Sequence, residues 1–191
     1  MDVESAYELL SRGPTHHEDS GRFYGSSGAM PIGAGLFCDG VRFPLFGEED
    51  SLFLTAEGLV YILTHECDID AGNSRFFSNS VLICPVIKLE DFVVEYSESY
   101  SDELLAQFLN ALSRRNVYRV LYIPPMGNHL YYGGLLNFNE IGHTSVAEFH
   151  ENHRVSKVLS ASIYGIRVID KLLENHLLRP KSARLPLQDR D

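Results

Sequence analysis

The stretch Gly58-Leu59-Val60-Tyr61-Ile62-Leu63-Thr64-His65-Glu66-Cys67-Asp68-Ile69-Asp70 decides the fold. Its first seven residues are β-branched, aromatic or apolar and read as a strand; the next six carry four kinds of ionisable side chain. A buried strand that ends in such residues delivers polar groups to the rim of a sheet.

Working outward, strand-like runs dominate the middle of the chain. Leu36–Cys38 and Val41–Phe46 flank Asp39-Gly40, a two-residue hairpin signal. Leu52–Thr55 precedes the strand Leu59–Thr64, separated from it by Ala56-Glu57-Gly58. Ser80–Leu89 follows, with Pro85 pointing to an edge or a bulge. Val117–Ile123 and Tyr131–Phe138 bracket the turn Pro124-Pro125-Met126-Gly127-Asn128.

Helical signals are fewer. Val3, Ala6, Tyr7 and Leu10 recur at helical spacing until Gly13-Pro14, after which residues 13–35 read as a long loop or flexible arm rich in Gly, Ser and His. Ser101 is a predicted N-cap, followed by Asp102, Glu103 and an apolar stripe from Leu104 to Leu112, with Arg114-Arg115 at the far end. Val155, Val158, Leu159, Ile163, Ile166, Ile169 and Leu173 predict one long helix from Ser145 or Glu151 to Leu178, stopped by Arg179-Pro180. The expected fold is α+β: a small curved antiparallel sheet or barrel, helices on one side, with an inserted helix and a long C-terminal helix. The expected organisation is an N-terminal helix and arm over 1–35, one α+β domain over 36–180 and a basic tail over 181–191. The absence of βα alternation and of a phosphate loop ending in Lys-Ser/Thr disfavours nucleotide-binding folds.

At 191 residues the chain is long enough for one full core. No apolar run reaches the roughly 20 residues of a membrane helix, and the acidic start Met1–Ser5 lacks a signal-peptide pattern; a cytoplasmic protein without membrane contact is expected. Three scattered cysteines form neither a disulfide framework nor a Cys-x-x-Cys knuckle. Cys38 and Cys84 sit in apolar runs and read as core thiols; Cys67 has charged neighbours. The net charge of −10 is uneven. From Arg154 onward eight Lys/Arg stand against four acids, a net of +4, leaving −14 for the rest. An acidic body repels phosphate backbones, so any nucleic acid would have to be met by the C-terminal basic segment. Arg167, Lys171, Arg179, Lys181 and Arg184 are the candidate partner-binding residues, for a partner protein or a second copy.

Four readings compete at the strand end, one of them non-catalytic partner or ligand binding at the rim. His65, Cys67, Asp68 and Asp70 are permissible transition-metal ligands, and on an extended chain His65 and Cys67 share one side. Zinc or manganese held by His65, Cys67 and Asp70 would take a further ligand from His16-His17-Glu18-Asp19, His129 or the His143/His150/His153 group. Alternatively His65, Cys67 and Asp68 form a catalytic set, although Glu66, Asp68 and Asp70 oppose a thiolate at Cys67 unless a cation such as Arg75 compensates. The plainest reading is a turn: Asp68 and Asp70 accept backbone amides and close Asp70-Ala71-Gly72-Asn73-Ser74.

Thr64-x-x-Cys67-Asp68-Ile69 after a hydrophobic strand, with Val81-Leu82-Ile83-Cys84-Pro85-Val86 next and Arg179-Pro180 closing a long helix, resembles a group of small uncharacterised prokaryotic proteins. The resemblance implies a bacterial origin and carries no activity. More distantly, the strand order is similar to the small barrels of PemK/MazF-type ribonuclease toxins, from which the chain departs by its acidic body and its lack of a basic catalytic pair. The function expected is a non-enzymatic intracellular interaction module with no cofactor, a component of a bacterial multicomponent, defence-type system. The alternative is a metal-assisted hydrolase or nuclease using the His65–Asp70 strand end.

Overall fold

The computed structural model describes residues 1–25, 31–46, 53–70, 72 and 79–178. The chain is α+β, as its patterning predicts. The elements are α1 (Val3–Ser11), α2 (Pro14–Asp19), β1 (Leu36–Phe46), β2 (Phe53–Ile62), α3 (Glu66–Ile69), β3 (Ser80–Lys88), α4 (Leu89–Ser97), α5 (Asp102–Ser113), β4 (Val120–Ile123), β5 (Gly134–Asn137), β6 (Gly142–Ser145), α6 (Val146–Glu151), β7 (Ser156–Ser160) and α7 (Ile163–Leu178). The strands form one seven-stranded antiparallel sheet in the order β4-β5-β3-β2-β1-β7, with β6 also paired to β3. It is open, ending at β4 and β7, so the barrel alternative is not realised. No helix among the described residues is long and apolar enough to cross a membrane.

Asp39-Gly40 does not make a hairpin. Leu36 to Phe46 is one strand, and the register to β2 steps from Cys38↔Val60 to Val41↔Gly58, so Asp39 and Gly40 together oppose a single residue. The reason lies in side-chain parity. Leu36 and Cys38 are buried on one face of the sheet, where Val41 and Phe43 must join them. An uninterrupted strand would turn positions 41 and 43 to the opposite face; a two-for-one bulge restores them. Gly40 sits there at φ +72°, and a Cβ on it would lie 2.5 Å from the Arg154 carbonyl. Likewise Ala56-Glu57-Gly58 does not separate two strands: β2 runs through it.

Pro85 lies in an interior strand rather than at an edge. The Leu82 carbonyl accepts the Leu63 N–H on the β2 side, so Ile83 and Pro85 direct their backbone groups to the other side. There β3 pairs with β6 over Ser80–Ile83 and with β5 over Val86–Lys88. The missing N–H of proline falls in the gap between the two partners.

The expected long C-terminal helix is present as α7, but it does not reach back to Ser145: that stretch forms α6 and β7. Ser145 caps α6 by accepting the Glu148 amide at 3.3 Å, Ser156–Ser160 form β7, and Ser162 Oγ accepts the Gly165 amide at the start of α7. Val155, Val158 and Leu159 fit a helical period, but the strand wins because Leu36–Asp39 of β1 has an edge to fill. Further along that edge Glu148 and Thr144 replace a strand. The Arg42 N–H donates to Glu148 Oε1 at 2.9 Å, and Thr144 Oγ1 donates to the Arg42 carbonyl at 2.8 Å. The Arg42 guanidinium and the Asn152 amide hold the buried Glu148 carboxyl below the usual glutamate range.

Helices cover both faces of the sheet, not one. On the first face Phe37, Tyr61, Cys84 and Leu136 pack with Phe23 and with Ile169 and Leu172 of α7. On the second, Cys38, Val60 and Ile83 pack with Ile69 of α3 and Phe149 of α6, while Tyr122 and Leu135 pack with α1, α4 and α5. Where the sequence reads as loop from Gly13, Pro14–Asp19 form a short helix and Phe23 is fully buried. Cys38 and Cys84 are core thiols, as expected, and burial drives both thiol pKa values up, that of Cys38 to about 12.

Candidate functional site

The strand end is not extended. The register of β2 stops at Ile62, and Glu66–Ile69 form one short helical turn with Ile69 buried against the sheet. His65 caps this turn: its Nδ1 accepts the Cys67 amide at 3.3 Å. Thr64 Oγ1 accepts the Leu82 amide at 2.7 Å, and Asp70 Oδ1 accepts the Gly72 amide at 2.9 Å, the part of the expected turn closure that falls to Asp70. Backbone approach fixes the other side, since a Cβ on Gly33 would lie 2.6 Å from that of Glu66.

This local folding changes the ligand set. His65, Glu66 and Cys67 bring ligand atoms within 4.8 Å of one another, while Asp68 and Asp70 stay outside the group. The histidines proposed as remote ligands are elsewhere. His129 Nδ1 is 3.3 Å from Asp39, and His16 is wedged against Tyr7 and Tyr122. No fourth His, Cys, Asp or Glu joins the three among the described residues. The His65 cap also opposes coordination. A neutral ring whose Nδ1 accepts an amide carries its proton on Nε2, 3.5 Å from Glu66. A metal on Nε2 moves that proton to Nδ1 and ends the cap, a loss of about 1 kcal/mol. Zinc could overcome that amount easily. The stronger objection is ligand number: three consecutive, solvent-facing residues with no enclosing wall fall short of a closed tetrahedral site. Arg75, the cation invoked for a Cys67 thiolate, lies outside the described residues.

One further polar cluster is a staple. The buried Asp19 accepts hydrogen bonds from Arg115 and from Tyr164 at 3.0 Å, tying α2 to the end of α5 and to α7. Arg115 ends α5 at φ +54°, with its own amide bonded to Leu112 and that of Asn116 to Ala111. A non-glycine residue there is strained, and the ion pair to Asp19 holds it. On α7, Arg167 and Lys171 are exposed as required of partner-binding residues. Lys171 is paired with Glu174 at 2.8 Å, and with Asp170 the described helix carries two cations and two acids. Arg179, Lys181 and Arg184 lie outside the described residues.

One concave site opens elsewhere among the described residues. Between α4, α5 and the β4–β5 end of the sheet is a groove of about 400 Å³. Its wall is a run of aromatic rings. Phe92 stacks on Tyr96 at 4.8 Å and 28°, Tyr96 on Tyr100 at 5.8 Å and 20°, and Phe92 on Phe108 at 5.7 Å and 29°. The spacing Phe92, Tyr96, Tyr100 is one residue per helical turn, so α4 and the residues after it line the rings up on one side. Asn137, Asn139 and Arg119 form its polar end. There the Asn137 amide donates to Glu140 Oε1 at 2.8 Å. Desolvation raises the Glu140 carboxyl pKa; the Asn137 hydrogen bond opposes this and the charge of Glu95 adds to it. Two sequence signals mark this region, neither a reactive residue type. Leu89, Phe92, Val93 and Tyr96 form a helical stripe, and from Leu89 to Ser113 there are six acids and no Lys or Arg.

Comparison with family models, curated proteins and solved structures gave no significant match.

Proposed function

We propose that this chain is a non-enzymatic protein-interaction module whose docking site is the aromatic groove under α4 and α5. One observation carries the reading: a cavity of about 400 Å³ is walled by Phe92, Tyr96, Tyr100 and Phe108, with Arg119, Asn137 and Asn139 as its polar lining. Concave apolar sites with a few placed polar groups are where ligands and partner side chains are taken up. Tyr100 and Leu104, 47% and 49% exposed, extend the apolar surface beyond the cavity. At the strand end, His65 and Asp70 serve as a cap and a turn closure.

A photo-crosslinking residue at Leu104 tests this. It is expected to trap a discrete partner in cells, while the same probe at Leu82, 50% exposed on β3, does not. Identical products from both positions would refute a groove-specific partner.

The second reading keeps the metal-assisted hydrolase, on the strength of three ligand atoms within 4.8 Å at His65, Glu66 and Cys67. Stoichiometric zinc retained through dialysis, and lost in Cys67→Ser, would move the assignment to that turn.

A further inference from the structure

The proposal rests on the groove being a docking site, and the one charged residue of its lining, Arg119, specifies what docks there. Elsewhere in this acidic chain arginines are claimed by carboxylates: Arg12 by Glu8, Arg42 by Glu148, Arg115 by Asp19 and Arg154 by Glu57. The Arg119 side chain makes no hydrogen bond or ion pair among the described residues. The amides beside it are less available. Asn137 Nδ2 donates to Glu140 and its Oδ1 accepts the Asn139 N–H. What the polar lining has left is the guanidinium, which only donates, and the Asn139 carboxamide. A planar fork of N–H donors matches a carboxylate. The remaining lining is apolar: besides the four rings it holds Ile87, Leu104, Leu105, Val120 and Leu135. The six acids from Leu89 to Ser113 stand outside the lining. Their field opposes a strongly acidic arrival, so one carboxylate placed at Arg119 suits the site and a run of them does not.

We propose that the groove receives an apolar segment of a partner protein that carries a single Asp or Glu, its carboxylate paired with Arg119 and its apolar side chains filling the space between α4, α5 and the sheet. A Lys or Arg at the same place would meet a like charge, with no acid in the lining to offset it. Selectivity comes from the sign of the charge, and affinity from the apolar anchors.

A displayed library of random peptides, selected on the full chain, tests this without presupposing a sequence. Groove-dependent clones are those lost in Leu104→Ser, a change at an exposed position. They are expected to share apolar anchors and one Asp or Glu. A synthetic peptide from that set, and its counterpart with Gln or Asn in place of the acid, then enter a double-mutant cycle with Arg119→Gln. Arg119 is exposed and its side chain is unbonded among the described residues, so this change leaves the fold alone. The acidic peptide should bind Arg119→Gln about threefold to tenfold more weakly than wild type, and the neutral one equally well. Groove-dependent clones without an acid, or with Lys or Arg in its place, overturn the acidic-segment inference and leave the groove as a docking site. An equal loss of both peptides in Arg119→Gln overturns it as well, since Arg119 would then act through packing. A selection that yields no groove-dependent clone overturns the inference and the docking site together.

Discussion

The turn at His65–Asp70 and the groove under α4–α5 are opposites. The turn concentrates His, Glu, Cys and Asp within six residues, yet two of these side chains are engaged by neighbouring backbone amides, His65 by that of Cys67 and Asp70 by that of Gly72. The groove is built mostly from Phe, Tyr, Leu and Asn, with Arg119, Ile87 and Val120, contributed by separate elements, and it encloses space. Reactive residue types adjacent in sequence tend to satisfy one another locally. A binding site needs groups from separate elements facing one volume, which adjacency does not supply.

The largest expected effect lies in the groove wall. Phe92 is 7% exposed and stacks on both Tyr96 and Phe108. Phe92→Ala should cost about 3–5 kcal/mol in urea denaturation. A cost below about 1 kcal/mol would mean that the wall is not part of the core, and the contrast with the turn would fail.

Thiol labelling should separate the regions next. Cys67 is exposed, while Cys38 and Cys84 are buried. With its pKa pushed up to about 12, Cys38 is ionised at pH 8 to only about one part in 10⁴. One equivalent of iodoacetamide should therefore modify Cys67 rapidly in the native protein, with the other two reacting only on unfolding. Three equivalents reacting together would show that the sheet core opens.

At the turn itself His65→Ala should lower stability by about 1 kcal/mol or less, the scale of one exposed helix cap. A loss several times larger would reveal a supporting role for His65 beyond the cap.

The smallest effect is a matter of sign. The Glu140 carboxyl is raised above its ordinary value of 4.5 in the fold, so between that value and its folded value the native state binds more protons than the unfolded chain. The contribution of Glu140 to native stability is then fully present below pH 4.5 and is lost as pH rises through the folded value. Glu140→Gln keeps an acceptor for Asn137 and removes the charge. It should match wild type at pH 4 and be the more stable at pH 7. A variant less stable at pH 7 would mean that the carboxylate is favoured in the free groove, and would remove the repulsion attributed to Glu95.

Much of the architecture can be read along the chain. The apolar run from Ser80 to Lys88, the Ser101 cap with its stripe, the first helix and the two core thiols are local signals, and folding keeps them. The departures share one cause. Asp39-Gly40 has the chemistry of a hairpin turn and also that of a bulge; β2 lying beside both halves of β1 selects the bulge. Val155–Leu159 satisfy a helical period, and the unpartnered edge of β1 makes them a strand. His65 and Cys67 share a side only on an extended chain, and the turn that buries Ile69 ends that geometry.

By itself the sequence determined the class of the fold, the residues too apolar to be anywhere but inside, and the acidity of the body, because periodicity, hydrophobicity and charge are carried by single side chains. Tertiary structure alone decided which face a residue takes after a bulge, which edge recruits a strand and where a cavity opens. Those outcomes depend on pairs of elements distant in the chain, and their free energies appear only when both are in place.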